Sequence, residues 1–161
     1  MVRLVPMNES EFQAYREVGS AQYMRASLKA DRWPAGETLL ATERVSQHPL
    51  LEDLTSPNQY LLMIEDELFG FKVGLLWFEV RDEGAGPIAF VYDMRIFEQF
   101  RRRHYGTYAF RALEAYVHRL GLTTIRFHVF GDNLAARTMY EKLGFITTDV
   151  VMEKTLRKPG G

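Results

Sequence analysis

Apolar positions near the start of the chain predict a short strand followed by a helix. Residues Val2 to Val5 predict the strand, which Pro6 closes. Asn8, followed three residues later by Glu11, predicts a capping box at the start of the helix. The apolar residues of this helix are Phe12, Tyr15, Met24 and Leu28.

A turn and a second helix are predicted next. The turn covers Asp31–Pro34, and the helix runs from Glu37 to about Gln47, where Pro49 would end it because proline cannot continue a helix. Trp33 lies in the turn. Packing at a loop corner is its favoured role, and lining a substrate pocket is the alternative.

From Asn58 onward the pattern changes to strands. Short apolar runs, separated by acidic or glycine-containing turns, predict an antiparallel meander of three strands. The first run is continuous and too short for a lone helix, so it is predicted to be buried on both faces. The three predicted strands are Tyr60–Ile64, Phe71–Val80 and Ile88–Ile96.

The second half of the chain alternates between helical and strand periodicity. The predicted order is helix Tyr108–Leu120, strand Thr123–Phe130, helix Asn133–Leu143 and one or more closing strands within Phe145–Leu156. A strand, a crossover helix and another strand in sequence imply a parallel pair at the centre of the sheet. The chain is therefore predicted to be a mixed α/β domain.

Composition narrows the functional classes. The 161 residues predict a single domain, 1–161, in which residues 157–161 are a loose tail. The absence of cysteine excludes an acyl-cysteine mechanism and thiolate metal ligands. The 20 Lys and Arg residues are balanced by 21 Asp and Glu residues. We therefore predict no overall positive charge that would attract nucleic acid or anionic membranes. With no signal-like or membrane-spanning run, we expect a cytoplasmic protein.

Positive charge is concentrated in Phe97–Thr107, where a predicted strand ends and a helix begins. Backbone N–H groups and fixed positive charge at a helix N-terminus bind phosphates well. We therefore predict that this loop holds a pyrophosphate. A solvated charge patch or a nucleic-acid contact through Arg101–Arg103 is the alternative, but neither explains the position between a strand and a helix.

Four stretches together resemble the GNAT superfamily of acyl-CoA N-acyltransferases: Arg101–Gly106, Asp132–Asn133, Ala135–Ala136 and Tyr140–Phe145. The resemblance implies an α/β (α+β) fold, with a mixed, mostly antiparallel central sheet, a parallel pair splayed at the cofactor site, and flanking helices. In one respect the loop departs from the family pattern. His104 stands where the family usually has its first glycine, and we expect it to keep an ordinary helical conformation with its side chain outward.

The resemblance also implies an activity and a cofactor site. The activity is transfer of an acetyl group from acetyl-CoA to a primary amine by direct attack in a ternary complex, without a metal. Backbone groups of Met94 and Ile96 would pair with the pantetheine arm, and those from Arg102 to Thr107 would bind the pyrophosphate. The implied cofactor-binding residues are Met94, Ile96, Arg101, Arg102, Arg103, His104, Tyr105, Gly106, Thr107 and Asn133.

Three residues are candidate catalytic groups. In the family a tyrosine at the position of Tyr140 commonly protonates the leaving thiolate, and Asn133, seven residues earlier, shares its helix face. His128 is a candidate general base because its ordinary pKa is near neutrality, and a purely structural role is the equal alternative. Asp93 is its rival, together with Tyr92 and Glu79.

The acceptor is a small-molecule or peptide amine, or a lysine side chain. In this fold the acceptor side is expected to come from Tyr23–Trp33, Glu37–Arg44 and Glu79–Tyr92, whose aromatic and acidic residues suit a cationic amine. A catalytically inactive acyl-CoA-binding or sensing module is the alternative function. For the apolar closing strand there are two equal alternatives, a homodimer through this strand or a sheet edge that is covered within one chain.

Overall fold

Six strands form one mixed sheet in the part of the chain that the computed structural model describes. That part comprises residues 1–16, 40–41, 54, 57–82, 84–129 and 134–158, with the backbone alone for residues 40–41. The strands are β1 (Val2–Pro6), β2 (Leu40–Ala41), β3 (Gln59–Asp66), β4 (Lys72–Asp82), β5 (Pro87–Ile96) and β6 (Ile125–Phe127). The helices are α1 (residues 9–16), α2 (Tyr105–Arg119) and α3 (Leu134–Lys142), with a 3-10 turn at Glu98–Phe100.

Most neighbouring strands in the sheet are antiparallel. The order is β1-β3-β4-β5, and every neighbouring pair in that series is antiparallel. The exception is β6, which pairs parallel with β5 at residues Ala89 to Val91. The predicted meander, the parallel pair and the α/β fold class are therefore confirmed.

Hydrophobic cores lie on both faces of the sheet. One core joins the sheet to the apolar stripe of α2, which comprises Ala109, Phe110, Leu113 and Val117. The other joins it to α1 through Phe12 and Tyr15. The capping box of α1 is present, since Asn8 N donates to Glu11 Oε1 at 2.9 Å and Glu11 N donates to Asn8 Oδ1 at 2.8 Å. The sheet is thus covered by helices on both sides, which is why β3 is apolar on both faces.

The second edge of β5 is shared between two strands. Strand β4 pairs with β5 along its length, from Gly74 opposite Ile96 to Asp82 opposite Pro87. Both β6 and β2 must therefore lie along the other edge, β6 at Ala89–Val91 and β2 at Asp93 and Met94. Phe127, opposite Val91, is the last residue of β6 to pair. The pairing of β6 with β5 ends there.

Four predicted elements differ from the structure. Leu40–Ala41 form a strand and not part of a helix, because their backbone pairs with the edge of β5 opposite β4. Helix α2 begins three residues earlier than predicted, at Tyr105, and β6 is limited to Ile125–Phe127. Residues 145–158 form no strand, since they pair with no described residue. The predicted turn with Trp33, the residues Met24 and Leu28, and Asn133 lie outside the described residues.

Candidate functional site

The N-terminus of α2 presents backbone donors that no acidic side chain competes for. The first N–H groups of a helix have no intrahelical acceptor, and here they belong to Tyr105, Gly106 and Thr107. The preceding residue, His104, makes no side-chain capping hydrogen bond, and the first turn contains no acidic residue. This end of α2 therefore has the partial positive charge and the donors that suit a phosphate.

The loop before α2 has two residues in the left-handed region of backbone space. Arg102 and His104 both have φ of 65°, and ψ of His104 is 11°. The expectation that His104 keeps an ordinary helical conformation is therefore wrong: the position needs the conformation that glycine adopts most easily. Its side chain is exposed, as predicted, and so are those of Arg102 and Arg103.

Two side-chain hydrogen bonds fix this loop to the sheet. The Tyr105 hydroxyl donates to Asp66 Oδ2 at 2.7 Å, while Asp66 Oδ1 accepts the N–H groups of Leu68 and Phe69. The hydrogen bond to Asp66 raises the pKa of Tyr105, and the same bond lowers the pKa of Asp66. Arg101 Nε donates to the Ile96 carbonyl at 3.2 Å. The start of α2 is therefore held at the end of β3 and β5.

Met94 and Ile96 present their backbone groups on the edge of β5 away from β4. Phe97 N donates to the Val73 carbonyl of β4 at 2.7 Å. The Arg95 carbonyl lies so close to Gly74 of β4 that a Cβ on Gly74 would collide with it. Alternate residues of a strand address opposite edges. The backbone of Met94 and Ile96 therefore faces the edge along which β6 and β2 lie.

A β-bulge lies in β5 beside this edge. Trp77 is opposite Asp93 and Phe78 is opposite Val91, which leaves Tyr92 as the extra residue. Bulges re-aim side chains and recur next to active sites. Here the bulge turns both Tyr92 and Asp93 towards the α1 face, where the Tyr92 ring stacks on Trp77 with centroids 4.5 Å apart.

The Tyr92 hydroxyl belongs to a polar network that includes a second carboxylate. It donates to Glu79 Oε1 at 3.0 Å, Gln59 Nε2 donates to Glu79 Oε2, and Trp77 Nε1 donates to Gln59 Oε1 at 2.7 Å. Burial, together with the neighbouring Glu79 carboxylate, raises the pKa of Tyr92 to about 12. The network therefore holds the Tyr92 hydroxyl against the Glu79 carboxylate.

The candidate base Asp93 lies within a buried hydrogen-bonded triad. Its carboxylate is fully buried, and Oδ2 accepts the Tyr15 hydroxyl at 2.8 Å and Arg95 Nη2 at 2.6 Å. Arg95 Nε lies 3.4 Å from Oδ1. Burial, and then the charge of Asp93, raises the pKa of Tyr15 well above its usual range. Tyr15 and Arg95 did not appear among the sequence-based candidates, and only the spacing of Arg95 two residues after Asp93 on one strand could have indicated a contact.

Tyr140 combines deep burial with a hydroxyl that no described residue satisfies. Its side chain is 2% exposed, and its ring contacts Phe110 and Phe127 with centroids 5.7 and 4.7 Å apart. The hydroxyl makes no hydrogen bond to any described residue. Burial raises its pKa well above the usual tyrosine value, so the phenol stays protonated. Because Phe127 is the last paired residue of β6, Tyr140 lies beside the end of the β5–β6 pairing.

The remaining predicted site residues are His128 and Asn133. His128 follows β6 directly and is exposed, so it is not within a strand as predicted. Asn133 lies outside the described residues. Among the described residues, no group of His, Asp and Glu side chains could hold a metal ion, and no helix is long and apolar enough to cross a membrane.

The parallel pair β5–β6 that ends beside a buried tyrosine, together with a helix N-terminus preceded by basic residues, agrees with the class of acyltransferase that the sequence resembles. A model of the family described as Acetyltransferase (GNAT) family matches residues 23–145. The chain therefore belongs to the GNAT acetyltransferase family.

Two relatives support this assignment. The chain is 32% identical to the uncharacterized N-acetyltransferase YycN of Bacillus subtilis (strain 168) over 96% of this chain and 99% of YycN. The crystal structure of YycN superposes with a TM-score of 0.79 over 98% of this chain and 100% of that one, at 29% identity. The uncharacterized N-acetyltransferase YdgE of the same organism is 26% identical over 95% of this chain and 97% of YdgE.

A further solved structure supports the fold alone. It is the structure of AAC(6')-Iy in complex with the bisubstrate analog CoA-S-monomethyl-acetylneamine, which has a TM-score of 0.59 at 16% identity. The alignment covers 98% of this chain and 99% of that one.

Proposed function

We propose that this protein transfers the acetyl group of acetyl-CoA to a primary amine by direct attack in a ternary complex. The observation that carries the proposal is the buried hydroxyl of Tyr140, which lacks a partner among the described residues and lies beside the end of the β5–β6 pairing. Leaving a buried polar group unpaired costs about 1–3 kcal/mol, so such a group is usually retained for a function. A leaving thiolate at this point would be its partner.

The basic loop would hold the pyrophosphate. The N–H groups of Tyr105, Gly106 and Thr107 point out of α2, and the exposed side chains of Arg102 and Arg103 add positive charge beside them. The left-handed backbone at His104 supports this role, because it supplies the glycine-like turn while its side chain stays in solvent. Arg101 acts differently: its Nε holds the Ile96 carbonyl, so it positions the loop.

The edge of β5 opposite β4, along which β2 and β6 lie, would hold the pantetheine arm. Met94 and Ile96 address their backbone groups to this edge, where an amide-containing chain can pair as a strand would. Asn133 would hold the arm from the opposite side, in line with the resemblance. The phosphates and the arm then follow one path from the start of α2 to Tyr140.

Acetyl-CoA, when bound, supplies a thioester carbonyl that the amine attacks and a thiolate that leaves. Tyr140 is the proton donor to that thiolate, and its raised pKa keeps the proton available throughout the neutral range. The proton from the attacking amine passes to a base. We assign this role to His128, which is exposed beside the end of β6. Asp93 is the rival, but protonation of its carboxylate would weaken the contacts to Tyr15 and Arg95.

A cationic amine is the proposed acceptor. Tyr92 and Glu79 lie on the α1 face beside the bulge, and Asp93 adds a second carboxylate on the same face. Aromatic rings and carboxylates together bind ammonium groups.

The experiment compares two tyrosine variants in an assay for free coenzyme A with a panel of amines. Tyr140→Phe should reduce kcat by about 10²-fold or more, the usual contribution of a general acid, while acetyl-CoA affinity in calorimetry stays within about twofold. Tyr116→Phe is the matched control, because Tyr116, a residue of α2, packs against the hydrophobic core that contains Tyr140. Equal kcat for Tyr140→Phe and the wild type would remove the assignment. Acetyl-CoA binding without turnover of any amine would instead support the sensing module.

A further inference from the structure

The side chain of Tyr105 connects the start of α2 to a strand that lies two places away from β5 in the sheet. Tyr105 is the first residue of α2, and its hydroxyl donates to Oδ2 of Asp66, the last residue of β3, at 2.7 Å. Strand β4 separates β3 from β5. The helix that follows the basic loop is therefore bound to a part of the sheet that the loop itself does not continue.

The carboxylate of Asp66 is fixed independently of Tyr105. Its Oδ1 atom accepts the N–H groups of Leu68 and Phe69 at 2.8 and 2.9 Å, and Gly70 N donates to the Asp66 carbonyl at 2.9 Å. Aspartate commonly closes a turn in this way, with its own side chain as the acceptor. Since the turn between β3 and β4 holds Oδ1, the Oδ2 atom is an acceptor with a fixed position.

The ring of Tyr105 is held by the same turn. It packs edge-on against Phe100 with ring centroids 6.2 Å apart, and Phe100 in turn contacts Phe71 at 6.4 Å. Phe71 is the residue at which the turn ends, and its carbonyl accepts the N–H of Asp66 at 2.8 Å. Both the hydroxyl and, through Phe100, the ring of Tyr105 are thus anchored to the turn between β3 and β4.

The loop before α2 has a backbone that needs such an anchor. Arg102 and His104 both adopt the left-handed conformation, which costs free energy for a residue with a Cβ. Strained backbone of this kind persists only where the surrounding structure over-determines it. Arg101 Nε donates to the Ile96 carbonyl on one side of the strained residues, and the Tyr105 hydroxyl is bound on the other side. The two hydrogen bonds therefore enclose the strained part of the loop.

We propose that Asp66 and Tyr105 are positioning residues for the cofactor phosphates. The N–H of Tyr105 is one of the donors at the start of α2, together with those of Gly106 and Thr107. Anchoring Tyr105 fixes the direction of these three groups in advance, which lowers the ordering cost of binding. This role rests on the proposed function, because it requires that the pyrophosphate bind at this helix end. The pair acts on cofactor binding and not on the chemical step.

The first test compares Tyr105→Phe with Tyr108→Phe in calorimetric titrations with coenzyme A. Tyr105→Phe removes the hydroxyl that donates to Asp66 and keeps the ring. Tyr108→Phe is the matched control, since Tyr108 is also half-buried at the start of α2 and packs against the same core. Affinity should fall about 10-fold or more in Tyr105→Phe, the usual effect of losing a hydrogen bond to a charged group, and stay within about twofold in Tyr108→Phe.

Two acetyl donors separate positioning from a general loss of folded protein. Acetyl-CoA contains the pyrophosphate, whereas S-acetylpantetheine has the same thioester arm without any phosphate. In Tyr105→Phe the kcat/KM for acetyl-CoA should fall about 10-fold through KM, and that for S-acetylpantetheine should stay within about twofold of the wild type. A purely structural role would lower kcat/KM by the same factor with both donors, and this result would overturn the inference.

Asp66 is tested through the same hydrogen bond. Asp66→Ala and Tyr105→Phe each remove the bond, so their effects on coenzyme A affinity should not add in the double variant. Asp66→Asn keeps an acceptor for the turn and a polar partner for the hydroxyl, and it should retain the affinity within about threefold. Additive losses, or a loss in Asp66→Asn as large as that in Asp66→Ala, would refute a role through the shared bond.

The wild-type titration distinguishes failure of this inference from failure of the proposed function. If the wild type binds no coenzyme A, the proposed function fails and the positioning role fails with it. If the wild type binds coenzyme A and Tyr105→Phe binds it equally well, only the positioning role is refuted.

Discussion

The left-handed backbone at His104 leads to a prediction about stability. A side chain in this conformation costs roughly 1–2 kcal/mol because Cβ approaches the following carbonyl. Glycine avoids that cost but loses about 0.5–1 kcal/mol of chain entropy on folding. His104→Gly should therefore raise the free energy of unfolding by about 0.5–1 kcal/mol, or the melting temperature by about 1–4 °C for a chain of this size.

His104→Ser separates this cause from ordinary helix capping. His104 is the N-cap of α2, and at a conventional N-cap serine is at least as good as glycine because its hydroxyl accepts an orphan N–H. In the left-handed conformation serine keeps the Cβ penalty and is not aimed at those donors. We therefore expect glycine to be more stable than serine at this position.

Urea denaturation and calorimetric melting of the wild type and both variants would measure the order. The slopes of the urea transitions should agree, so that the midpoints report stability. If His104→Ser equals or exceeds His104→Gly, or if His104→Gly lowers the melting temperature, the loop does not carry the strain inferred from its backbone.

Three further outcomes are expected. Gly74→Ala should lower the free energy of unfolding in urea by about 1–3 kcal/mol, because its Cβ would collide with the Arg95 carbonyl; wild-type stability would show that the strands separate freely. Tyr15→Phe should cost about 1–3 kcal/mol in the same assay, since it removes a donor from buried Asp93, and an unchanged midpoint would contradict the triad. The pKa of Tyr92 is about 12 in the folded protein but about 10 in the unfolded chain. Its contribution to stability is therefore complete below pH 10 and is lost as the pH rises towards 12, so urea midpoints should decline over that interval, and less steeply in Tyr92→Phe.

Much of the fold follows from local sequence patterns that do not depend on contacts with residues distant in the chain. The capping box of Asn8 and Glu11, the three meander strands and the helical stripe of α2 were all predicted because their signals lie within a few neighbouring residues. Leu40–Ala41 were wrongly predicted as helix. Their strand pairing depends on Asp93 and Met94, which are distant in sequence. The local propensity of residues 40–41 therefore could not predict this pairing.

The candidate site was predictable by residue type but not by geometry. The basic loop and Tyr140 could be located from their motifs. Three features depend on strand register and on contacts between distant elements. They are the left-handed conformation of His104, the bulge at Tyr92 and the hydrogen bond from Tyr15 to Asp93. No alternation pattern shows which side chain a bulge will redirect.

The sharing of one β5 edge by β2 and β6 bears on the energetics of the proposed function. The backbone of Met94 is already opposite Leu40, so a pantetheine arm would replace one set of main-chain partners with another. Such a substitution leaves the number of backbone hydrogen bonds nearly unchanged, and it yields little net free energy. Selectivity for the cofactor would then come mainly from its charged end. In that case affinity should weaken steeply with added salt, whereas shortening the arm should change the position of the acyl group more than the strength of binding.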